Sequence, residues 1–422
     1  MRTLSPFVGA GAYDIRRILD EGLVRAVYQP VVDLDTSDVV GFEALARGPE
    51  GSALERPDRL FDAAREAGLV AELEWACRAA AVRGALAGGL RPPLRLFLNV
   101  EPSHIAMPVP DDLRDLFVRA TQELAIVVEL TERALSDRPC DVLAAIERVR
   151  AIGWAVALDD VGADRRSLAL MPLLEPDIVK LDMDVVQRPR SPGRAALVHA
   201  VNAQAERSGA MVVAEGIESA EHVEVARALG ARYGQGWRFG RPAPLPALVV
   251  GKSIPSSNPA RRAGGARETP YAVLRGRHEP RRGTKPLLLA ISRDLESHLD
   301  ARDDAAVLLA TFQDERHFTP ATSARYARLA RTAAFVGALG AEMPTAPAPG
   351  VRGASLADSE ALRGEWNVIV LDAHFAAAFS ALDLGDCGAD DERRFDFCMT
   401  YDRELVIDAA RALMARIAAV EA

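Results

Sequence analysis

Lysine is nearly missing from this chain of 422 residues: of 51 Lys plus Arg, only Lys180, Lys252 and Lys285 are lysines. A genome that prefers Arg and Ala would produce that bias, and it makes a lysine inside a folded segment conspicuous. Cysteine is also scarce. Cys77, Cys140, Cys387 and Cys398 are widely spaced and form no CxxC, so reduced, partly buried thiols are expected. No apolar run reaches the roughly eighteen residues of a membrane span. The segment Met1–Ile15 lacks the charged start and long apolar core of a secretion signal. A cytoplasmic protein without a membrane partner is therefore expected. Excess basic charge is lacking too. A formal net charge of -9 argues against DNA as a partner, though local cations and metals still suffice for a small anionic ligand.

What is present is a soluble globular composition, 49% hydrophobic and 26% charged, in a chain long enough for two or three domains. The first 250 or so residues alternate short β-branched runs with helix-length amphipathic segments. Strands are predicted at Val27–Leu34, Val39–Ala46, Leu94–Val100, Ile126–Thr131, Ala155–Asp159, Ile178–Leu181 and Met211–Ala214, with a short one near Arg238. Helices are predicted at Leu69–Ala87, Asp111–Glu123, Asp141–Ile152, Arg194–Arg207 and Ser219–Leu229. Such repetition argues for a closed, TIM-like (β/α)8 barrel. The first two strands are joined only by Asp35 to Asp38, which fits an antiparallel pair and a modified barrel.

The pattern then collapses from Lys252 to about Arg282, through Ser-Ser-Asn-Pro, Gly-Gly and Arg-Arg-Gly, as in a flexible basic linker. The expected division is a barrel over 10–251, a linker over 252–284 and a smaller α/β domain over 285–420. In that last domain a helix is predicted at Leu289–Leu299, a strand at Ala305–Gln313 and a helix at Ala321–Val336. A strand at Trp366–Leu371 and a closing strand–helix over Arg394–Ile417 complete it.

Polar residues sit where the barrel strands end. Glu43 lies late in the second strand, Asn99 ends Leu-Phe-Leu, Glu129 follows Ile-Val-Val, and Asp159 and Asp160 follow Ala-Val-Ala-Leu. Lys180 and Asp182 flank Leu181, and Glu215 follows Met-Val-Val-Ala. The C-terminal ends of barrel strands converge on one mouth. Oxygen ligands of this kind suit Mg²⁺ or Mn²⁺, and two metals sharing the paired acids would serve in-line phosphodiester hydrolysis. A single acid after a strand is more often a helix N-cap, as expected for Asp141, but six strands each delivering a polar residue weaken that reading. Lys180, the only lysine of the first 250 residues, offers a compact point charge where Arg offers a wide fork. Either the site needs that shape, for a phosphate oxygen or the attacking water, or a chance lysine pairs with Asp182.

These residues resemble the EAL phosphodiesterase family. The opening signature runs from Tyr28-Gln29-Pro30-Val31-Val32-Asp33 through Gly41-Phe42-Glu43-Ala44-Leu45-Ala46-Arg47. There follow Leu98-Asn99-Val100, Glu129-Leu130-Thr131-Glu132, Leu158-Asp159-Asp160-Val161-Gly162, Val179-Lys180-Leu181-Asp182, Ala214-Glu215-Gly216-Ile217-Glu218 and Gly234-Gln235-Gly236, in family order. The resemblance implies hydrolysis of cyclic di-GMP to linear pGpG with Mg²⁺ or Mn²⁺. It implies metal ligands at Glu43, Asn99, Glu129, Asp159 and Asp160, and water activation by Glu215 with Lys180 beside it. It also implies dinucleotide contacts at Gln29, Arg47 and Gln235, support from Glu132, Asp182 and Glu218, and a homodimer through the barrel. After the paired acids, active members continue Phe-Gly-Thr-Gly-Tyr-Ser-Ser, where this chain has Val161-Gly162-Ala163-Asp164-Arg165-Arg166-Ser167. That departure keeps a second reading open, a cyclic di-GMP receptor with little turnover.

The C-terminal part resembles the DICT sensory domain through Phe312-Gln313-Asp314-Glu315-Arg316-His317-Phe318, Arg325-Tyr326, Glu365-Trp366-Asn367-Val368-Ile369-Val370, Arg394-Phe395 and Thr400-Tyr401-Asp402-Arg403. Its ligand or protein partner is not implied. Core packing with an edge ion pair is the plain reading of those aromatics and arginines. His317 and His374, one in each of two distant segments, are weak support for a metal.

Overall fold

The structure, a computed structural model, describes residues 14–101, 107–131, 133–163, 167–188, 194–246, 268–299, 305–386 and 389–419. Eight strands close a barrel: β1 (Arg25–Asp33), β2 (Val39–Arg47), β3 (Arg95–Asn99), β4 (Ala125–Thr131), β5 (Ala155–Val161), β6 (Ile178–Leu181), β7 (Met211–Ala214) and β8 (Tyr233–Gln235). From β2 to β8 all neighbours are parallel. β1 runs antiparallel to β2, as its short connection predicts, and antiparallel to β8 as well. The last strand was expected near Arg238 and lies earlier, at Tyr233–Gln235. A run of only three residues, two of them flanked by glycine, carries little β-branched signal.

Around the barrel lie α1 (Ile15–Asp20), α2 (Pro57–Ala67), α3 (Val70–Ala87), α4 (Arg114–Glu123), α5 (Arg133–Asp137), α6 (Pro139–Ala151), α7 (Ser167–Leu174), α8 (Met183–Gln187), α9 (Arg194–Ser208) and α10 (Ala220–Ala228). Asp141 lies inside the first turn of α6 and is not its cap, since Pro139 already opens the helix. Among the described residues no helix is long and apolar enough to cross a membrane.

The C-terminal unit is a seven-stranded mixed sheet ordered β12-β11-β10-β13-β14-β15-β9. Its strands are β9 (Arg281–Thr284), β10 (Val307–Asp314), β11 (Phe335–Ala341), β12 (Arg352–Ser355), β13 (Glu365–Leu371), β14 (Ala376–Asp383) and β15 (Arg394–Thr400). Its helices are α11 (Pro270–Arg275), α12 (Lys285–Ser297), α13 (Pro320–Leu329) and α14 (Arg403–Met414).

Three sequence expectations fail here. Of the expected linker, residues 252–267 lie outside the described residues, but 268–284 hold α11 and edge strand β9. Pro270 at the first turn of α11 and its Thr269 cap are helix-start signals, not linker chemistry. The helix expected over Ala321–Val336 stops at Leu329, and β11 begins at Phe335. Strand β14, with its Ala-Ala-Ala-Phe run, was not expected at all. Alanine favours helix in isolation, and burial between two packed layers overrides that preference.

Both faces of this sheet are covered. One packs Leu308, Val336, Val368 and Phe379 against Leu288 and Leu295 of α12 and Tyr326 of α13. The other packs Leu309, Leu339 and Ile369 against Leu274 of α11 and Val406 and Leu413 of α14. That second layer is continuous with the barrel's outer layer, including Leu135, Val142, Ile146 and Leu173. Helix α14 packs on α6 and α7, so the two units share a core where a flexible tether was expected.

Polar contacts fix this junction. Arg411 pairs with Glu175 at 2.7 Å, the Cys140 N–H donates to the Ile417 carbonyl at 3.4 Å, and Arg352 donates to the Ser136 carbonyl at 2.7 Å. Glu175 stands in the left-handed region at φ 45, just past α7. The Arg411→Glu variant should place two acids face to face at this partly buried spot. We expect a loss of about 1–3 kcal/mol in the full chain. The charge-swapped pair Glu175→Arg/Arg411→Glu should recover part of it in a thermal-melt double-mutant cycle. Zero coupling would mean that the pair does not hold the junction.

A carboxylate cluster around one buried lysine

Strand alternation builds the site. Val31, Phe97, Val127, Ala157, Ile178, Val213 and Tyr233 form an apolar plug inside the barrel. Side chains two residues apart share a strand face. In the parallel strands the next inward residue toward the mouth is therefore Asn99, Glu129, Asp159, Lys180, Glu215 and Gln235 respectively. In reversed β1 it is Gln29, two residues before Val31. Glu43 of β2 is paired directly with Gln29. Gly41, two residues before Glu43, leaves room for the plug, since a Cβ there would lie 2.9 Å from the Phe97 ring.

Lys180 is fully buried at the centre. Its Nζ lies 2.6 Å from Glu129 Oε1, 2.6 Å from Glu215 Oε1, 3.0 Å from Asp159 Oδ1 and 3.6 Å from Glu43 Oε2. Asp182 is not its partner: its carboxylate accepts from the Asp184 N–H at 2.8 Å and caps α8. The chance-pair reading of Lys180 is thereby excluded, and Asp182 acts as a helix cap. Asn99 Nδ2 donates to Glu43 Oε1 at 2.8 Å, and Gln235 Nε2 donates to Glu43 Oε2 at 2.6 Å and to Gln29 Oε1 at 3.1 Å.

Adjacent residues of a strand point to opposite faces, yet Asp159 and Asp160 serve one side. The register between β5 and β6 shifts between Leu158 and Val161, and Asp160 adopts φ 56. Asp tolerates this left-handed conformation better than most residues. The turn brings carboxylate oxygens of Asp159, Asp160 and Glu215 within 4.8 Å of one another, a spacing suited to a cation. Among the described residues, His317 and His374 join no such group.

Charge is unbalanced here, with five carboxylates around one ammonium. Burial, the neighbouring Glu43 and Asp159 push Glu129 well above the usual carboxylate range despite Lys180. Burial likewise pushes Glu215 up to about 8 against the pull of Lys180. Asp160 is raised by burial and by Asp159 and Asp182. Glu43 goes the other way: burial raises it, but Lys180 and the donors Gln235 and Asn99 bring it below its ordinary value. Lys180 is held charged, its burial outweighed by Glu129, Glu215, Glu43 and Asp159. Glu129 Oε2, buried, accepts no hydrogen bond. An orphaned carboxylate oxygen beside surplus negative charge fits a set that holds divalent cations.

A cavity of about 640 Å³ opens beside the cluster, lined by Arg47, Asn99, Glu129, Thr131 and Asp159. Its wall includes a pair that the sequence reading missed. Arg78 and Glu74 on α3 bond at 3.1 Å, nearly buried, with Arg78 stacked 4.3 Å over Trp75. The signal was an i,i+4 acid–Arg spacing, which usually marks a solvated helix face. Glu218 is exposed, and none of the described bonds of the cluster includes it. Glu132 and the loop residues Asp164, Arg165 and Arg166 lie outside the described residues.

Comparisons with known proteins give the chain a family. Residues 12–242 match the family described as EAL domain, and residues 273–383 match the sensory domain in diguanylate cyclases and two-component systems. Cyclic di-GMP phosphodiesterase RocR of Pseudomonas aeruginosa is 32% identical over 238 residues, 55% of this chain and 60% of that protein. Probable cyclic di-GMP phosphodiesterase PdeB of Escherichia coli is 33% identical over 223 residues, 51% of this chain and 42% of that protein. The match thus spans less than two thirds of either relative. Among solved structures, a PaMucR phosphodiesterase in complex with c-di-GMP shares 25% identity over 55% of this chain and 96% of that one, with a TM-score of 0.48. By the family match over more than half its length, the chain belongs to the EAL domain family.

Proposed function

We propose that the barrel hydrolyses cyclic di-GMP to linear pGpG in a divalent-cation-dependent reaction, under the control of the C-terminal domain. The observation that carries this reading is one buried ammonium among carboxylates delivered by separate strands to one mouth. Glu43, Asn99, Glu129, Asp159 and Asp160 would hold the cations, Mg²⁺ or Mn²⁺ and two in number. Bound there, the ions would supply Lewis-acid polarisation of the phosphodiester and a lowered pKa for a water.

The chain's own residues do the rest. Glu215, with its raised proton affinity, would take the proton of the attacking water. Lys180 holds Glu215 at 2.6 Å and would present its charge to a phosphate oxygen. Gln29, Gln235 and Arg47 would bind the dinucleotide, for which 640 Å³ is an ordinary pocket size. A homodimer through the barrel and a cytoplasmic site of action belong to the same reading.

The test is to incubate the full chain with cyclic di-GMP and Mn²⁺ and to separate the products. Linear pGpG that disappears on adding EDTA is the expected result. Binding in Ca²⁺ without any product would make the barrel a receptor, and absence of both would overturn the assignment.

A further inference from the structure

We propose that the C-terminal domain carries a second binding site, for a small organic anion with a flat aromatic ring. A cavity of about 440 Å³ lies on the sheet face away from the barrel, between α12, the end of β10 and the start of α13. It is within the size range of small-molecule sites. This inference rests on that cavity alone and is independent of the barrel's chemistry.

The floor is aromatic. Trp366, Phe312 and Phe395 line it. Trp366 meets Phe379 and Phe395 edge-on, at centroid distances of 5.7 Å and 5.8 Å, and stays only partly buried. Phe312 meets Phe318 edge-on at 5.0 Å and is also partly buried. These edge contacts fix the rings of Trp366 and Phe312 while leaving part of each uncovered toward the cavity. A flat ring would find preorganised surfaces there.

The wall is cationic. Lys285, Arg293, Arg316, Arg325 and Arg393 line the cavity, against Glu296 and Asp390. Most of these cations are already engaged. Arg325 pairs with buried Glu296 at 2.7 Å, Lys285 pairs with Asp390, Arg393 with Asp383, and Arg316 reaches Asp314 at 3.7 Å. Arg293 forms no ion pair among the described residues, although its charge acts on Glu296, whose own ion pair is with Arg325, so the wall keeps an excess of positive charge for a ligand. Engaged arginines are held in place, and a held guanidinium binds an anion at little entropic cost.

The backbone is shaped toward the same space. The register of β10 against β11 shifts between Thr311 and Asp314, and Gln313 in the bulge adopts φ 60. A non-glycine residue in that region costs about 1–3 kcal/mol and persists where the surroundings hold it. Here Arg393 donates to Gln313 Oε1 at 3.3 Å, and Gln313 Nε2 donates to the Gly364 carbonyl at 3.4 Å. The bulge lets Phe312 and the neighbouring Gln313 both line the cavity, which regular alternation would forbid.

The test uses the full chain and two dyes. 8-Anilino-1-naphthalenesulfonate is an aromatic anion, and N-phenyl-1-naphthylamine is its uncharged counterpart. Saturable binding of one anionic dye per chain is expected, at least about tenfold tighter than the neutral one. Arg293→Glu, an exposed position that should not disturb folding, should weaken the anionic dye by about tenfold and leave the neutral dye unchanged. Trp366→Leu should weaken both. Displacement of the dye by salicylate points to a carboxylate, and displacement by GMP to a phosphate. No saturable binding below about 1 mM, or dye binding indifferent to both substitutions, would overturn the proposal.

Discussion

Lys180→Arg should lose a hundredfold or more in turnover of cyclic di-GMP, about 2.7 kcal/mol of barrier, although it keeps the charge. Four carboxylates crowd within 3.6 Å of the ammonium, and no part of the side chain reaches solvent. A guanidinium is broader and needs a planar fork of acceptors, which this roughly radial arrangement does not offer. Overpacking should also lower stability by about 1–3 kcal/mol. Lys180→Met tests the charge separately. It leaves the carboxylates without their cation, so its melt in EDTA should fall further, and added Mg²⁺ should recover part of the loss. Turnover and melts like those of the parent chain in Lys180→Arg would show that only charge balance is needed there.

Glu43→Ala should abolish turnover, about a thousandfold or more, while sparing the fold. The carboxylate takes hydrogen bonds from Asn99 at 2.8 Å and Gln235 at 2.6 Å, so its removal leaves two donors without that acceptor. The same removal relieves repulsion among the remaining acids, since Glu43 is one cause of the raised proton affinity of Glu129. The two effects oppose, and the melt in EDTA should stay within a few degrees of the parent. The informative difference is with Mg²⁺. A cation at a hundred times its dissociation constant adds about 2.7 kcal/mol to the parent chain, and the variant should lose most of that gain. Calorimetric Mg²⁺ titration gives the same quantity directly. Undiminished turnover would remove Glu43 from the cation site.

Much of this was written in the sequence, for reasons that differ by element. Glu129, Lys180 and Glu215 each follow a short apolar run at or near the end of a strand, and period-two alternation ties each to its plug residue. Lys180 stood out because the chain otherwise uses Arg. Asp160 was partly legible: both acids were expected to turn inward at a strand end, whereas the turn is a left-handed residue in a register shift. The C-terminal sheet was harder. In β11 and β14 alanine and glycine stand where β-branched residues would announce a strand, and only pairing with neighbours distant in sequence decides. The shared core was invisible, because α14 has to bury two faces, one on its own sheet and one on α6 and α7. An amphipathic pattern does not say how many partners cover it.

That double burial makes the chain a poor candidate for cutting in two. A fragment ending at residue 246 would keep every strand of the barrel yet lose the layer that covers α6 and α7. It would uncover the surface of α6 and α7 on which α14 packs, with Glu175 stripped of Arg411. Uncovered patches of that kind drive self-association. The fragment's aggregation or sluggish turnover would then reflect a missing lid on its flank and not release from control. Supplying residues 268–422 as a separate polypeptide should restore solubility, because the junction is held by packing and ion pairs, and the two pieces should migrate together as a reconstituted protein.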